Sequence, residues 1–456
     1  MAKKKQIELT IEEKLKNTLV PKEEQPYKIP SNWCWSYWKY CGKFIAGNGF
    51  KNIYQGFTQY DIPYYKVGSL KFCDEGNYLI DETNTINEEI RTKLKAVKIP
   101  VNSIIFAKIG EAIKLNRRCL NKIECCIDNN LMAFISEKYF YKYIFYWTKS
   151  LNFYELTNAT TVPALRKTDL ENIPIPLPPL NEQQRIVNII ESLFAKLDRA
   201  KELIENTLVQ FEQNKMAILH KAFTGELTVK WRKENNIDLS SWQEKTIDEL
   251  CTSLKYGTSK KSNPEGSVVV LRMGNLQNGE IDWSNLMYTD DKDDIEKYLL
   301  KKGDVLFNRT NSPELVGKTS IYRGEYPAIY AGYLIKLDYG KDIIGEYLNY
   351  MMNSTKAKHY CYTVKTDGVS QSNINAKKIG AFEIPVPTIE EQQEIVNILD
   401  KLLAKYNKIK NLEQQLEKIE LLKKAILAKA FRGELGTNNP DEESAENLLK
   451  EILAEK

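Results

Sequence analysis

The stretch Ile175-Pro-Leu-Pro-Pro-Leu-Asn-Glu-Gln-Gln-Arg-Ile-Val-Asn-Ile189 returns 209 residues later as Ile384-Pro-Val-Pro-Thr-Ile-Glu-Glu-Gln-Gln-Glu-Ile-Val-Asn-Ile398. From residue 175 to 196 the ungapped match holds 13 identities in 22 positions. After a one-residue slip, residues 215–227 match 423–435 at 10 of 13, with Lys-Ala-Phe-x-Gly-Glu-Leu in both copies. A duplication of this size organises the whole chain. Each copy opens on prolines, which restrict their neighbours to extended backbone. A long helical pattern follows. In the first copy Ile190, Leu193, Leu197, Ala200, Ile204, Thr207, Phe211 and Ile218 fall mostly at alternating steps of three and four. In the second, Ile395, Leu399, Leu402, Tyr406, Ile409, Leu412, Leu416, Ile419, Leu422 and Ile426 do the same. So narrow an apolar stripe between charged faces predicts a coiled-coil seam. Gly225 and Gly433 follow a basic last turn and end both helices. About 43 residues at ~1.5 Å each make rods of roughly 64 Å. The shared Glu182-Gln183-Gln184 and Gly225-Glu226-Leu227 lie off the seam, where packing does not require them, which argues for duplication over two unrelated helices.

The rods separate two blocks, residues 31–174 and 241–383, rich in Gly, Asn, Tyr and short β-branched runs such as Asn102-Ser-Ile-Ile-Phe-Ala107 and Gly303-Asp-Val-Leu-Phe-Asn308. That composition predicts α+β blocks with small, twisted, mainly antiparallel sheets. Each opens on a tryptophan after a polar turn, Ser31-Asn32-Trp33 and Ser240-Ser241-Trp242. The blocks resemble each other far less than the rods do. Thr10-Ile-Glu-Glu13 is a capping box opening a short helix before Pro21, and residues 443–456 read as a C-terminal helix. The linker Val229-Lys-Trp-Arg-Lys-Glu-Asn235 finds its counterpart split between tail and head, so the chain is expected to be quasi-circular, its termini completing the second connection. The divisions are then 1–30, a helical N-terminal segment; 31–174; 175–228; a linker at 229–240; 241–383; 384–436; and a helical tail at 437–456.

Composition narrows the function. At roughly 150 residues per domain, 456 residues suggest about three folded units. With 42% hydrophobic and 28% charged residues the chain is globular, not disordered. No window approaches the ~20 apolar residues of a membrane span, and no apolar run follows the basic N-terminus, so a cytoplasmic protein without membrane contact is expected. A net charge of +4 from 65 basic and 61 acidic residues makes any nucleic-acid footprint local. Eight cysteines without a C-x-x-C pair indicate neither a zinc ribbon nor a disulfide framework. Two histidines, His220 and His359, leave little for a metal site or a histidine-based triad.

Pro178-Pro179-Leu180-Asn181-Glu182-Gln183-Gln184-Arg185-Ile186-Val187, with its second copy, resembles the repeated regions of specificity (S) subunits of type I restriction–modification enzymes. So do Lys221-Ala222-Phe223-Thr224-Gly225-Glu226-Leu227-Thr228, the following Lys230-Trp231-Arg232, the ending Ala430-Phe431-Arg432-Gly433-Glu434-Leu435-Gly436, and the opening Leu19-Val20-Pro21-Lys22-Glu23-Glu24-Gln25-Pro26-Tyr27. The resemblance covers essentially the full chain. It implies two target-recognition domains held apart by an antiparallel pair of long coiled-coil helices in a pseudo-twofold arrangement, each reading one half of a split, asymmetric DNA sequence. The implied subunit does no chemistry and carries no cofactor. It docks two methyltransferase subunits that use S-adenosylmethionine and two ATP- and Mg²⁺-dependent translocase–nuclease (restriction) subunits.

The residues fit that division of labour. Ser312-Pro-Glu-Leu-Val-Gly317-Lys318-Thr319 ends like a phosphate-binding loop, but Ser312 stands where its first glycine belongs. Gly47-Asn48-Gly49 reads as a tight turn, and no Asn-Pro-Pro-aromatic motif of adenine methyltransferases occurs. DNA affinity should come from Lys and Arg on phosphate, and sequence from Arg, Lys, Asn and Gln on base edges. In the second block the candidates are Asn308, Arg309 and Asn311 at a strand tip, continuing to Lys318 and Arg323. Lys260 with Lys261 and Arg272 with Asn275 form two further loops, and Ser370 with Gln371 lies in a Gly-x-x-Gln segment. In the first block they are Lys51, Lys71, Lys108, Lys114, Arg117 and Arg118, while Ala159-Thr160-Thr161-Val162 lacks the Gly and Gln of its counterpart. Phe194, Leu203 and Leu208 on the first rod, with Leu403 and Leu421 on the second, are candidate partner-binding positions. Two competing readings are an enzyme acting alone, which needs catalytic motifs, and a coiled-coil adaptor, which would not bind duplex.

Overall fold

In the computed structural model the described residues are 10–136, 139–157, 162–404 and 410–454. Contacts divide the chain into two units: Met1–Glu202 with Gln415–Lys456, and Leu203–Gln414.

In the first unit Cys34–Tyr37 pairs antiparallel with Pro174–Leu177, Cys34 opposite Leu177. The prolines sit on a two-stranded ribbon, where a missing N–H costs little. A four-stranded antiparallel sheet runs in the order Gly42–Ala46, Leu131–Ser136, Ile104–Ala107, Arg118–Leu120. Beside it, Ile62–Tyr65 lies between Thr85–Ile86, antiparallel, and Cys126–Ile127, parallel. The core closes on Trp38, wholly buried, with the rings of Phe44, Phe134 and Trp147 at 4.7, 5.0 and 5.0 Å. Head and tail meet here. Helix Ile11–Thr18, opened by the Thr10/Glu13 capping box, and helix Ala445–Ala454 bury Leu15, Leu449 and Ile452 in one cluster. Asn32 Nδ2 donates to Asn439 O at 3.0 Å.

The second unit repeats the plan. Gln243–Thr246 pairs with Glu383–Val386. The antiparallel sheet runs Cys251–Tyr256, Leu334–Tyr339, Val305–Asn308, Thr319–Ile321, and Val268–Leu271 lies between Tyr288–Thr289 and a parallel Ala328–Tyr330. The two blocks that diverge in sequence therefore share strand order and direction. Gly47 and Gly257 hold equivalent places: a Cβ would stand 1.9 Å from Asp128 O in one case and 2.1 Å from Tyr330 O in the other. Gly47 is thus required by close backbone approach, not by the turn expected there.

The first rod is one helix, Leu180–Phe223, of 44 residues. The second is described as Ile389–Ala404 and Lys410–Phe431. Within the first unit Asp198 pairs with Lys423 and Lys201 with Glu420, so the rods run antiparallel there. Gly225 and Gly433 take φ +80 and +74 after the helix ends. Ile190, Ile395, Leu399 and Ile419 are buried as the seam requires. Leu422 is 50% exposed and lies off it, and Tyr406 and Ile409 fall outside the described residues.

Glu182 and Gln183, placed off the seam by spacing, are needed for packing after all: both are wholly buried, as are Glu391 and Gln392. Glu182 accepts from Trp33 Nε1 at 2.8 Å, Thr437 Oγ1 at 3.0 Å and Asn438 Nδ2 at 3.1 Å. Glu391 accepts from Trp242 Nε1 at 2.9 Å, Thr228 Oγ1 at 2.6 Å and Arg232 Nη1 at 2.7 Å. The Gln183 and Gln392 amides donate to Pro178 O and Pro387 O, binding each rod to its proline lead-in. Tyr143 and Tyr347 hydroxyls donate to Pro176 O and Pro385 O, both at 2.7 Å, and their rings meet Phe431 and Phe223 edge-on. The repeated Pro-rich, Glu-Gln and Ala-Phe motifs are thus parts of one joint, made twice.

Cys73 and Cys119, 46 residues apart, are disulfide-bonded with their Cα atoms 6.8 Å apart, a pairing that sequence spacing did not indicate.

Candidate nucleic-acid interface

In the second unit the chain leaves strand Val305–Asn308 at Arg309. Its N–H donates to Tyr333 O at 3.0 Å, and its carbonyl accepts from Ile374 N at 2.9 Å. The guanidinium lies over the Tyr256 ring at 4.8 Å and reaches Asn373 Oδ1 at 3.2 Å. Thr310–Asn311 then pairs with Ser372–Asn373, which pairs back on Thr366–Asp367. The tip of this hairpin, Gly368 to Gln371, is closed by Gly368 N donating to Gln371 O at 2.8 Å, and leaves Val369, Ser370 and Gln371 exposed. Arg309, Asn311, Ser370 and Gln371 are thereby brought to one end of the unit.

The first unit has the same crossing with other side chains. Lys108 N donates to Asn130 O at 2.9 Å and Lys108 O accepts from Leu165 N at 2.8 Å. Lys108 therefore occupies the place of Arg309. Of the segment opposite it, Ala159, Thr160 and Thr161 fall outside the described residues.

Other expected contacts lie elsewhere. Lys51, Lys71, Arg117 and Lys261 are exposed. Lys114 pairs with Glu111 at 2.7 Å, and Lys260 pairs with Asp291 at 2.7 Å. Arg323 bridges Glu280 at 2.9 Å and Glu346 at 3.2 Å. Three expectations need correction because their side chains are spent inside the fold. Arg118, 3% exposed, donates to Asn116 O and Leu151 O and stacks on Phe153; burial lowers its pKa to about 9. Asn275, 3% exposed, clamps a loop through Arg272 N, Asp282 O and Ser284 O. Asn308 is wholly buried and donates to Met273 O. Arg272 itself is half-buried, its Nη2 on Asn285 O. Sequence reasoning missed Tyr256 and Asn373, which orient Arg309; the Tyr-Gly pair closing strand Cys251–Tyr256 was the available signal.

On the rods, Leu203 and Leu421 are 51% and 63% exposed. Leu208 and Leu403 line a cleft of about 510 Å³ in the second unit, where Leu403 also packs against the core. Phe194 does not present a free face: its ring meets Tyr146 at 5.9 Å and Lys423 sits over it.

Residues 52–208 and 240–421 match the model of the type I restriction modification DNA specificity domain, and the chain belongs to that family. It is 30% identical to the EcoKI specificity subunit of Escherichia coli (strain K12), over 66% of this chain and 68% of that one. It is 29% identical to the StySPI specificity subunit of Salmonella potsdam, over 69% and 71%. A solved chain from a study of complex assembly and conformational transition in the type I R-M system superposes with a TM-score of 0.66 at 19% identity, covering 90% of this chain and all of that one, which establishes the shared fold. Among the described residues no helix is long and apolar enough to cross a membrane.

Proposed function

We propose that this chain is the DNA-reading specificity subunit of a type I restriction–modification complex. Residues 31–174 and 241–383 act as two target-recognition domains, each reading one half of a bipartite, asymmetric duplex site. The observation that carries this reading is the repeated crossing at Lys108 and Arg309: one backbone frame presents different side chains at the same place, as two readers of unlike half-sites require. Base edges are read at Arg309, Asn311, Ser370 and Gln371 in one domain and around Lys108 in the other. Lys51, Lys71, Arg117 and Lys261 serve phosphates. The chain itself is non-catalytic. Adenine-N6 methylation with S-adenosylmethionine, and ATP- and Mg²⁺-driven cleavage, belong to two methyltransferase and two restriction subunits, for which Leu203, Leu208, Leu403 and Leu421 offer apolar docking positions. The test is to map N6-methyladenine in a genome carrying this chain with its methyltransferase. A split methylated motif is expected, and exchanging residues 31–174 for another domain should change one half only. A continuous motif, or none, would refute the reading.

A further inference from the structure

In the second unit, Lys215 of the first rod, Lys318 at the start of strand Thr319–Ile321 and Lys358 of helix Thr355–Val364 line one cavity of about 340 Å³. The cavity also holds Glu212 and Glu314, so the lysines are in excess. None of the three makes an ion pair within 4 Å among the described residues. Lys318 Nζ donates to the neutral amide of Gln277 at 2.8 Å, and Lys358 Nζ reaches only the thioether of Met216, at 3.8 Å. A thioether is a weak acceptor, so three strong donors are left with little to bond. Burial lowers the pKa of Lys318, and burial, with Lys215 and Lys318 nearby, lowers that of Lys358 despite the opposing Glu212. Converging ammonium groups that repel one another favour an anion between them.

The first unit supplies an independent comparison. Lys423 stands where the repeat places Lys215. It too faces a cation of its recognition block, Lys149, whose pKa is lowered to about 8 by burial first and then by Arg118 and Lys423. There, however, Asp198 of the same unit pairs with Lys423. In the first unit a carboxylate thus pairs directly with the rod lysine, whereas among the described residues Glu212 and Glu314 of the second-unit cavity form no ion pair with Lys215, Lys318 or Lys358.

We infer that Lys215, Lys318 and Lys358 form a binding site for a phosphate oxyanion at the junction of the first rod and the second recognition block. Resting on the DNA-reading function proposed above, the phosphate is one of the duplex backbone or a small free phosphate. The binding chemistry is the same, three ammonium donors around tetrahedral oxygens. Thr319, buried in its strand, has no part in it, so the site is not a nucleotide-binding loop.

The experiment uses the full chain with its methyltransferase partner and the triple variant K215Q/K318Q/K358Q. Duplexes carrying the mapped site are made with a neutral methylphosphonate at one backbone position at a time. Wild type should lose ~tenfold in affinity at one position outside the bases read, and the triple variant should be indifferent there. In parallel, inorganic phosphate is titrated calorimetrically into both. A methylphosphonate effect identifies the backbone as the source. Phosphate binding that the variant lacks, without such an effect, identifies a free phosphate. If neither effect is seen, the site is refuted. Should wild type bind no duplex specifically, the DNA-reading function fails while the phosphate titration still decides the site. K358Q, which removes no bond stronger than that to Met216, replaces the triple variant if the latter misfolds.

Discussion

The indole nitrogen of Trp33 donates to the carboxylate of Glu182 across 149 residues, and Trp242 donates to Glu391 across another 149. Each recognition block is thus tied at its first residues to the first turn of the rod that follows it. The two joints differ in charge. Glu391 meets the buried guanidinium of Arg232, whereas Glu182 accepts from an indole, a hydroxyl and an amide.

That difference sets the cost of removing each carboxylate. Glu391→Gln leaves Arg232 buried without its counter-ion and should destabilise the second unit by about 3–5 kcal/mol. Glu182→Gln weakens hydrogen bonds to neutral donors and should cost about 1–3 kcal/mol. Urea unfolding, followed separately by Trp242 and Trp33 fluorescence in single-tryptophan backgrounds, compares them. Equal losses would refute the charge argument.

Gly47 and Gly257 should each resist a methyl group. Their Cβ atoms would enter the van der Waals radius of a backbone carbonyl, which cannot swing aside as a side chain can. Gly47→Ala and Gly257→Ala are expected to cost at least about 1–3 kcal/mol. Gly274→Ala, with nothing within 4 Å of its Cβ, should be nearly silent. Thermal midpoints of the three variants make the comparison.

The rods, their glycine stops, the capping box and the meeting of head and tail were all legible, because periodicity and cap chemistry are local properties of a sequence. The buried side of the Glu-Gln motifs was not. A carboxylate between helix charges looks like a surface pair until Trp33 or Trp242 arrives from 149 residues away. The candidate contact residues stand out in the sequence as clusters of donors, but their exposure does not. Asn308 and Arg309 are adjacent; strand alternation and a distant carbonyl at Met273 turn the first inward, while Tyr256 and Asn373 hold the second at the edge. Likewise the common sheet order of the two blocks rests on backbone pairing, which tolerates nearly any β-forming side chain.

Arg309→Ala should therefore separate from Asn308→Ala. The first should cost about 1–3 kcal/mol on the specific site and relax preference at one base of the second half-site. The second should lower thermal stability, through its lost bond to Met273 O, without changing which base is preferred. Lys108→Ala should relax the first half-site only. Binding to a duplex library with every base varied in turn reads all three.

The stability of the first unit should rise with pH between about 8 and 9, because of Lys149. Burial, with Arg118 and Lys423 nearby, lowers its folded-state pKa from 10.5 to about 8. Below pH 8 both folded and unfolded chains carry the proton, and the folded state bears the cost of a buried charge that Asn77, the Phe145 ring and Asp198 offset only in part. Between the two pKa values the unfolded chain binds more protons than the folded one, so unfolding becomes harder as pH rises. Buried Cys34, Cys125 and Cys126, whose pKa values burial raises, act in the opposite sense above their ordinary value near 9.0, and buried Tyr64 and Tyr65 follow above 10.0, which bounds the window. Lys149→Met removes the titrating group while keeping its apolar stem, and should flatten the rise. Urea midpoints at half-unit steps from about pH 7 to about 9 measure it, and a wild-type slope that survives in the variant would assign the effect to another group.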